Sequence, residues 1–149
     1  YADAQAVWSQ LVTDRGLRAE QVVVFGRSLG GGVATQLATE VEAAGLVLES
    51  SFTSVSDMGA RLYPMFPVRW LVRIRFDNRS KLPNVRSPVL IMHSPDDNTV
   101  PFEHGQALFE LATSPKQFFI MSGGHNDGFI VSGEAYRSAL RDFFLKVSD

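Results

Sequence analysis

Ser28 stands at the centre of Gly26-Arg27-Ser28-Leu29-Gly30, a G-x-S-x-G spacing. A serine hydroxyl is a weak nucleophile; it needs a base, and the base needs a carboxylate to orient it. There is no cysteine among the 149 residues, which removes disulfides, thiolate zinc sites and thiolate nucleophiles. Three histidines could serve as the base. His125 lies in the glycine-rich run Ser122-Gly123-Gly124-His125-Asn126-Asp127. His104 stands beside Glu103 at the start of a helical pattern and reads as solvated. His93 ends an apolar run and reads as a structural hydrogen-bonding group. No pair of histidines has the i, i+4 spacing of helical metal ligands, and no metal is expected. Two carboxylates, Asp96 and Asp97, follow His93 in HSPDDNTVP. Pro-Asp-Asp-Asn is also a strong turn sequence. One aspartate then holds the turn and the other faces His125.

The elements around these residues put them on one edge. Residues 21–25, QVVVF, form a short β-branched run suited to a strand covered on both faces. Helical spacing returns over 29–41 through Val33, Leu37 and Val41. Further strands are predicted at 46–49, 89–92 and 117–121, and helices at 103–112 and 134–147. Tyr136, Leu140, Phe143, Phe144 and Val147 share a face of the last helix. Residues 2–14 form an amphipathic helix with Ala4, Val7, Trp8, Leu11 and Val12 on one side. Alternating strands and helices predict an α/β fold: three αβα layers around a mostly parallel sheet of about four strands. Ser28, the Asp96-Asp97 pair and His125 each follow a separate strand, so all three lie at the C-terminal edge. A nucleophile on so sharp a turn adopts a strained backbone, and small residues two before and two after let strand and helix pass closely. The helix start beside it favours negative charge, and the Leu29 amide is an oxyanion donor.

Other readings of the glycine-rich turn fit less well. GRSLGGG lacks the Gly-Lys-Ser/Thr of a phosphate loop and the G-x-G-x-x-G spacing of a dinucleotide site. Tight packing alone would also use such a turn. Fourteen basic against sixteen acidic residues give a net charge of −2, unlike a dedicated nucleic-acid binder. No apolar run nears the roughly 20 residues of a membrane span. Nor is a signal peptide visible, and a cytoplasmic location is expected. Residues 52–86 are too long for a simple loop and read as a small helical cover. They contain Tyr63, Phe66 and Trp70, and seven of the fourteen basic residues lie between Arg61 and Arg86.

These motifs together resemble the α/β-hydrolase superfamily, over the whole chain as one domain, 1–149. GRSLGGG at 26–32 resembles its nucleophile elbow, SPVLIMHSPDDNTVPFEHG at 87–105 its acid loop, and GGHND at 123–127 its histidine loop. GRSLGG and SFTS also recur in the branch that holds the serine aminopeptidases. The chain departs at Ser94, where the family has glycine. The resemblance implies Ser28 as nucleophile, Asp97 as acid with Asp96 as the fallback, and His125 as general base. It implies cleavage of a small-molecule carboxylic ester through an acyl-enzyme, with no cofactor. Thioesterase, lipid hydrolase and aminopeptidase chemistry use the same residues. Residues 52–86 occupy the place of the family's lid, so Tyr63, Phe66 and Trp70 are expected to contact substrate. The family's nucleophile strand is usually fifth, and here it is first. The resemblance therefore implies missing N-terminal strands, a missing second oxyanion donor, and a bare apolar edge at VVVF. A homo-oligomer or a separate N-terminal segment is expected to cover that edge. The competing expectation is a non-catalytic half-domain that binds or assembles.

Overall fold

β-Branched and aromatic runs form the four strands of the computed structural model, which describes residues 1–62 and 76–148. They are β1 (Val23–Arg27), β2 (Gly45–Glu49), β3 (Val89–His93) and β4 (Lys116–Ile120). The sheet is parallel throughout, in the order β1-β2-β3-β4. β2 and β3 are buried along their whole length, as central parallel strands are. β1 and β4 are the edges and only half-buried. VVVF is thus not covered on both faces: Phe25 is 44% exposed.

Alternation along the strands builds two cores. Leu46, Leu48, Val89 and Ile91 face one way, onto α2 (Gly30–Glu40) and α5 (Phe102–Leu111). Val47, Leu90 and Met92 face the other way, onto α7 (Gly133–Ser148), which follows the short α6 (Gly128–Val131), through Phe143, Leu140 and Val147. The result is the expected three-layer αβα arrangement. The buried face of α2 is Ala34, Thr35, Leu37 and Ala38, with Val33 and Val41 only half-buried. Small residues there bring helix and sheet close. Phe144, expected inward, is 39% exposed because its neighbour Phe143 takes the central position.

The N-terminal helix is shorter than its periodicity suggests. α1 (Ala2–Ser9) runs into a π-helical turn at Gln10–Asp14, and neither buries a residue. Its apolar side instead lines an open groove beside β1, together with Phe25, Val33 and Leu37.

Residues 52–86 divide into an excursion and a core segment. The chain leaves through α3 (Val55–Leu62) and returns at an antiparallel bridge between Ser54 and Asp77. It then enters α4 (Asn78–Lys81), capped by Asp77, and a 3₁₀ turn at Leu82–Asn84. Leu82 and Val85 are core residues against the sheet rather than cover. Tyr63, Phe66 and Trp70 lie outside the described residues. Among the described residues no helix is long and apolar enough to cross a membrane.

Candidate active site

Three of the strands extend their ladders by one rung before the chain turns away. The Ser28 amide donates to Glu49 O at 2.9 Å, Ser50 to Met92 O at 2.9 Å, and Met121 to His93 O at 2.9 Å. Residues that follow these rungs are therefore anchored on a rigid edge. Ser28 is left-handed at φ 50°, and Ser50 beside it at φ 46°. Left-handed non-glycine residues cost on the order of 1–3 kcal/mol and persist only where the surroundings over-determine them. Here Ser51 Oγ donates to Ser28 O at 3.0 Å, and the Gly31 amide donates to the same carbonyl at 3.0 Å.

Glycine is needed at three places around the turn, Gly26, Gly31 and Gly32, the last against Phe76, and the motif's own Gly30 is not among them. A methyl on Gly26 would fall 2.5 Å from Ala34 Cβ. A methyl on Gly31 would fall 2.1 Å from Ser51 Oγ, whereas one on Gly30 meets nothing within 4 Å. The close approach of helix and strand thus rests on Gly26 and Gly31, three residues after the serine, rather than on Gly30.

The turn carries Ser28 Oγ to 3.1 Å from His125 Nε2. His125 Nδ1 lies 2.8 Å from Asp97 Oδ2. Asp97 is 7% exposed, and its other oxygen accepts the Thr99 and Val100 amides at 2.9 and 2.8 Å. Burial alone would raise the Asp97 pKa, but the hydrogen bonds from His125, Val100 and Thr99 outweigh it and hold the group below its ordinary value. An ionised carboxylate only accepts. His125 Nδ1 therefore carries the proton and donates it, which leaves Nε2 as the acceptor for the serine hydroxyl. Such an arrangement can take a proton from Ser28 and return it to a leaving group. Leu29 begins the helix with αR backbone, and its amide makes no hydrogen bond among the described residues. It stands beside Ser28, where an N–H can donate to developing negative charge.

The structure brings Ser28, Asp97 and His125 together and leaves the alternatives aside. Asp96 is exposed, with its amide on Ser94 Oγ at 3.1 Å. The serine that replaces the family's glycine at 94 thus closes the acid turn from within. His93 is fully buried and donates from Nε2 to Val100 O at 2.9 Å, as expected of a structural group. Its Nε2 also lies 3.6 Å from Asp97 Oδ2. Burial lowers its pKa, with the Val100 bond and Asp97 opposing. His104 is not solvated. It is half-buried with Nδ1 accepting the Thr53 amide at 3.3 Å, because the first turn of α5 aims it at the loop after β2. The cleft of about 800 Å³ lined by Glu40, Glu42 and Arg86 lies at the opposite end of the sheet.

A second network went unread in the sequence. Glu49, 2% exposed at the end of β2, pairs with its cross-strand neighbour Arg27, Nε to Oε1 at 3.1 Å. Its other oxygen accepts the Tyr136 hydroxyl at 2.7 Å, and burial followed by that bond pushes the phenol pKa up. Arg27 also donates to the His125 carbonyl and lies 5.8 Å from the centre of the Phe129 ring. The signal was a lone acid closing the apolar strand GLVLE opposite the arginine of G-x-S-x-G.

A parallel sheet with a left-handed serine after its first strand, an aspartate after its third and a histidine after its fourth defines an α/β-hydrolase fold. The esterase domain of a Rhodothermus marinus protein superposes with a TM-score of 0.67 at 21% identity, over 93% of this chain and 67% of that one. The prolyl oligopeptidase family profile matches residues 1–137, and the chain belongs to that family within the α/β-hydrolase superfamily. An uncharacterized Mycobacterium tuberculosis protein, MT2364, is 33% identical over 99% of this chain and 53% of its own length. Human alpha/beta hydrolase domain-containing protein 17B is 36% identical over 85% of this chain and 43% of its own length. The chain thus spans about half the length of the curated relatives it matches.

Proposed function

We propose that this chain carries the proton-transfer centre of a serine hydrolase that cleaves carboxylic esters. The observation that carries the reading is the continuous path from Ser28 Oγ through His125 to Asp97, at 3.1 and 2.8 Å. Ser28 Oγ attacks the ester carbonyl carbon while His125 Nε2 takes its proton. The Leu29 amide holds the oxyanion, and His125 returns the proton to the departing alcohol. Water, deprotonated by His125, then attacks the acyl-serine and releases the acid. The esterase named among the structural relatives supports the ester class. Thioesters and amides would enter by the same steps.

The test is hydrolysis of p-nitrophenyl acetate or butyrate. Ser28→Ala abolishes turnover, and a fluorophosphonate labels Ser28 in the wild type only. Equal rates in both proteins would sink the hydrolase reading.

A second reading, a binding or self-assembly module, is favoured by one specific observation. Among the described residues β1 leaves a free edge, whose neighbouring groove is lined by Val7, Trp8, Phe25 and Val33. Bare apolar edges pair with other strands. A second copy of the chain or a preceding segment that covers this edge is part of the proposal. Either one is also the source of a second oxyanion donor, whose loss costs roughly 10²–10³ in rate.

A further inference from the structure

The histidine loop is closed mainly on itself. Gly124 N donates to Asp127 Oδ1 at 2.6 Å, Gly128 N to Gly124 O at 3.0 Å, and Ser122 N to Ser132 Oγ at 2.8 Å. These bonds shape the loop but do not set its distance from Ser28. Apart from the imidazole's own hydrogen bonds, one bond among the described residues joins His125 to the nucleophile strand. It is donated by Arg27, the residue before Ser28, to the His125 carbonyl.

Arg27 is held for this purpose from behind. Its Nε faces the buried Glu49 carboxylate, which is fixed in turn by Tyr136 from α7. The backbone of Glu49 takes the Ser28 amide. Glu49 thus fixes the elbow through its backbone carbonyl and, through its carboxylate, the arginine that reaches across to the base. The guanidinium keeps an ion pair with Glu49 at 3.1 Å while a terminal N–H reaches the His125 carbonyl, and an ammonium on a flexible stem reaches both poorly.

We propose that Arg27, braced by Glu49 and Tyr136, is a positioning residue that sets the separation of His125 from Ser28. The inference rests on the hydrolase reading for its kinetic part and on geometry alone for its spectroscopic part. Truncating Arg27 by itself would strand a buried carboxylate, so the informative variant removes both charges, Arg27→Met with Glu49→Gln. Arg27→Lys keeps the charge and loses the fork.

Two measurements decide it. With p-nitrophenyl acetate, both variants are expected to lose about 10- to 100-fold in kcat, the scale of a small misplacement of reacting groups, with little change in KM. In a His125→Ala background the same changes are expected to leave the residual rate unaltered. Independently, the His125 Nδ1–H resonance is expected to broaden or shift in both variants while circular dichroism stays native. A kcat loss equal in the His125→Ala background would assign Arg27 a merely structural role and overturn the proposal. So would a sharp, unmoved His125 resonance, whether or not ester is turned over. Absent turnover in the wild type with a perturbed resonance in the variants would reject the hydrolase reading and uphold the positioning role.

Discussion

Asp97→Asn separates orientation of the base from the integrity of the acid turn. The asparagine oxygen can keep the Thr99 and Val100 amides, now at 2.9 and 2.8 Å, so the turn survives. Those bonds lose their charge assistance, at a cost of roughly 1–2 kcal/mol in stability. The amide nitrogen then replaces Oδ2 opposite His125 Nδ1, where the separation is 2.8 Å. Two donors cannot face one another there, so the ring proton moves to Nε2. Nε2 then points a hydrogen at Ser28 Oγ, 3.1 Å away, and can no longer accept one. A wrong tautomer of this kind lowers kcat by about 10⁴ where it has been measured in a serine protease. At 1.36 kcal/mol per tenfold that is about 5.4 kcal/mol of transition-state stabilisation. The assay is ester hydrolysis and fluorophosphonate labelling, with ¹⁵N shifts of the His125 ring to read the tautomer. Asp96→Asn is the matched control and should change the rate by no more than about threefold, as exposed substitutions do. An Asp97→Asn enzyme within tenfold of wild type, with Nδ1 still protonated, would refute the reasoning.

Gly31→Ala should destabilise the protein by about 1–3 kcal/mol, because the methyl overlaps buried Ser51. Gly30→Ala should be neutral or stabilising by up to about 1 kcal/mol, and urea midpoints distinguish the two. His93 has a lowered pKa in the fold, so the unfolded chain binds the extra proton as pH falls below 6.5. Its contribution to stability is complete above that value and declines toward the folded pKa; His93→Gln should flatten this part of a pH–stability curve. Asp97, also lowered, contributes fully above 3.8 and is lost as pH falls through its folded value. Phe25→Lys places a charge on the exposed β1 strand and should abolish any concentration-dependent sedimentation. Unchanged sedimentation of an associating wild type would move the contact elsewhere.

Much of the architecture was legible because the strands are short and β-branched. VLIM and GLVLE are buried on both faces and admit little else. Ser28, Asp97 and His125 could be placed on one edge because each follows a strand end, and a parallel sheet puts all such ends together. What escaped depends on neighbours distant in sequence. Whether α1 buries its apolar side depends on what adjoins β1, which periodicity cannot see. Phe143 and Phe144 are chemically identical and only the packing of α7 separates them. His104 took a partner, Thr53, from a loop 51 residues away. The Arg27–Glu49–Tyr136 network joins three elements, and no local pattern announces it.

The three site loops have one further consequence. Ser28 and His125 are 97 residues apart, and Asp97 lies between them. In the proposed chemistry, every atom that moves a proton is therefore encoded downstream of the start of β1. A cut ahead of that strand keeps Ser28, Asp97 and His125 together on one product. The groove between the N-terminal helix and β1 would then be the seam of a split-protein complementation, with a gain in turnover as the signal that two fragments have met.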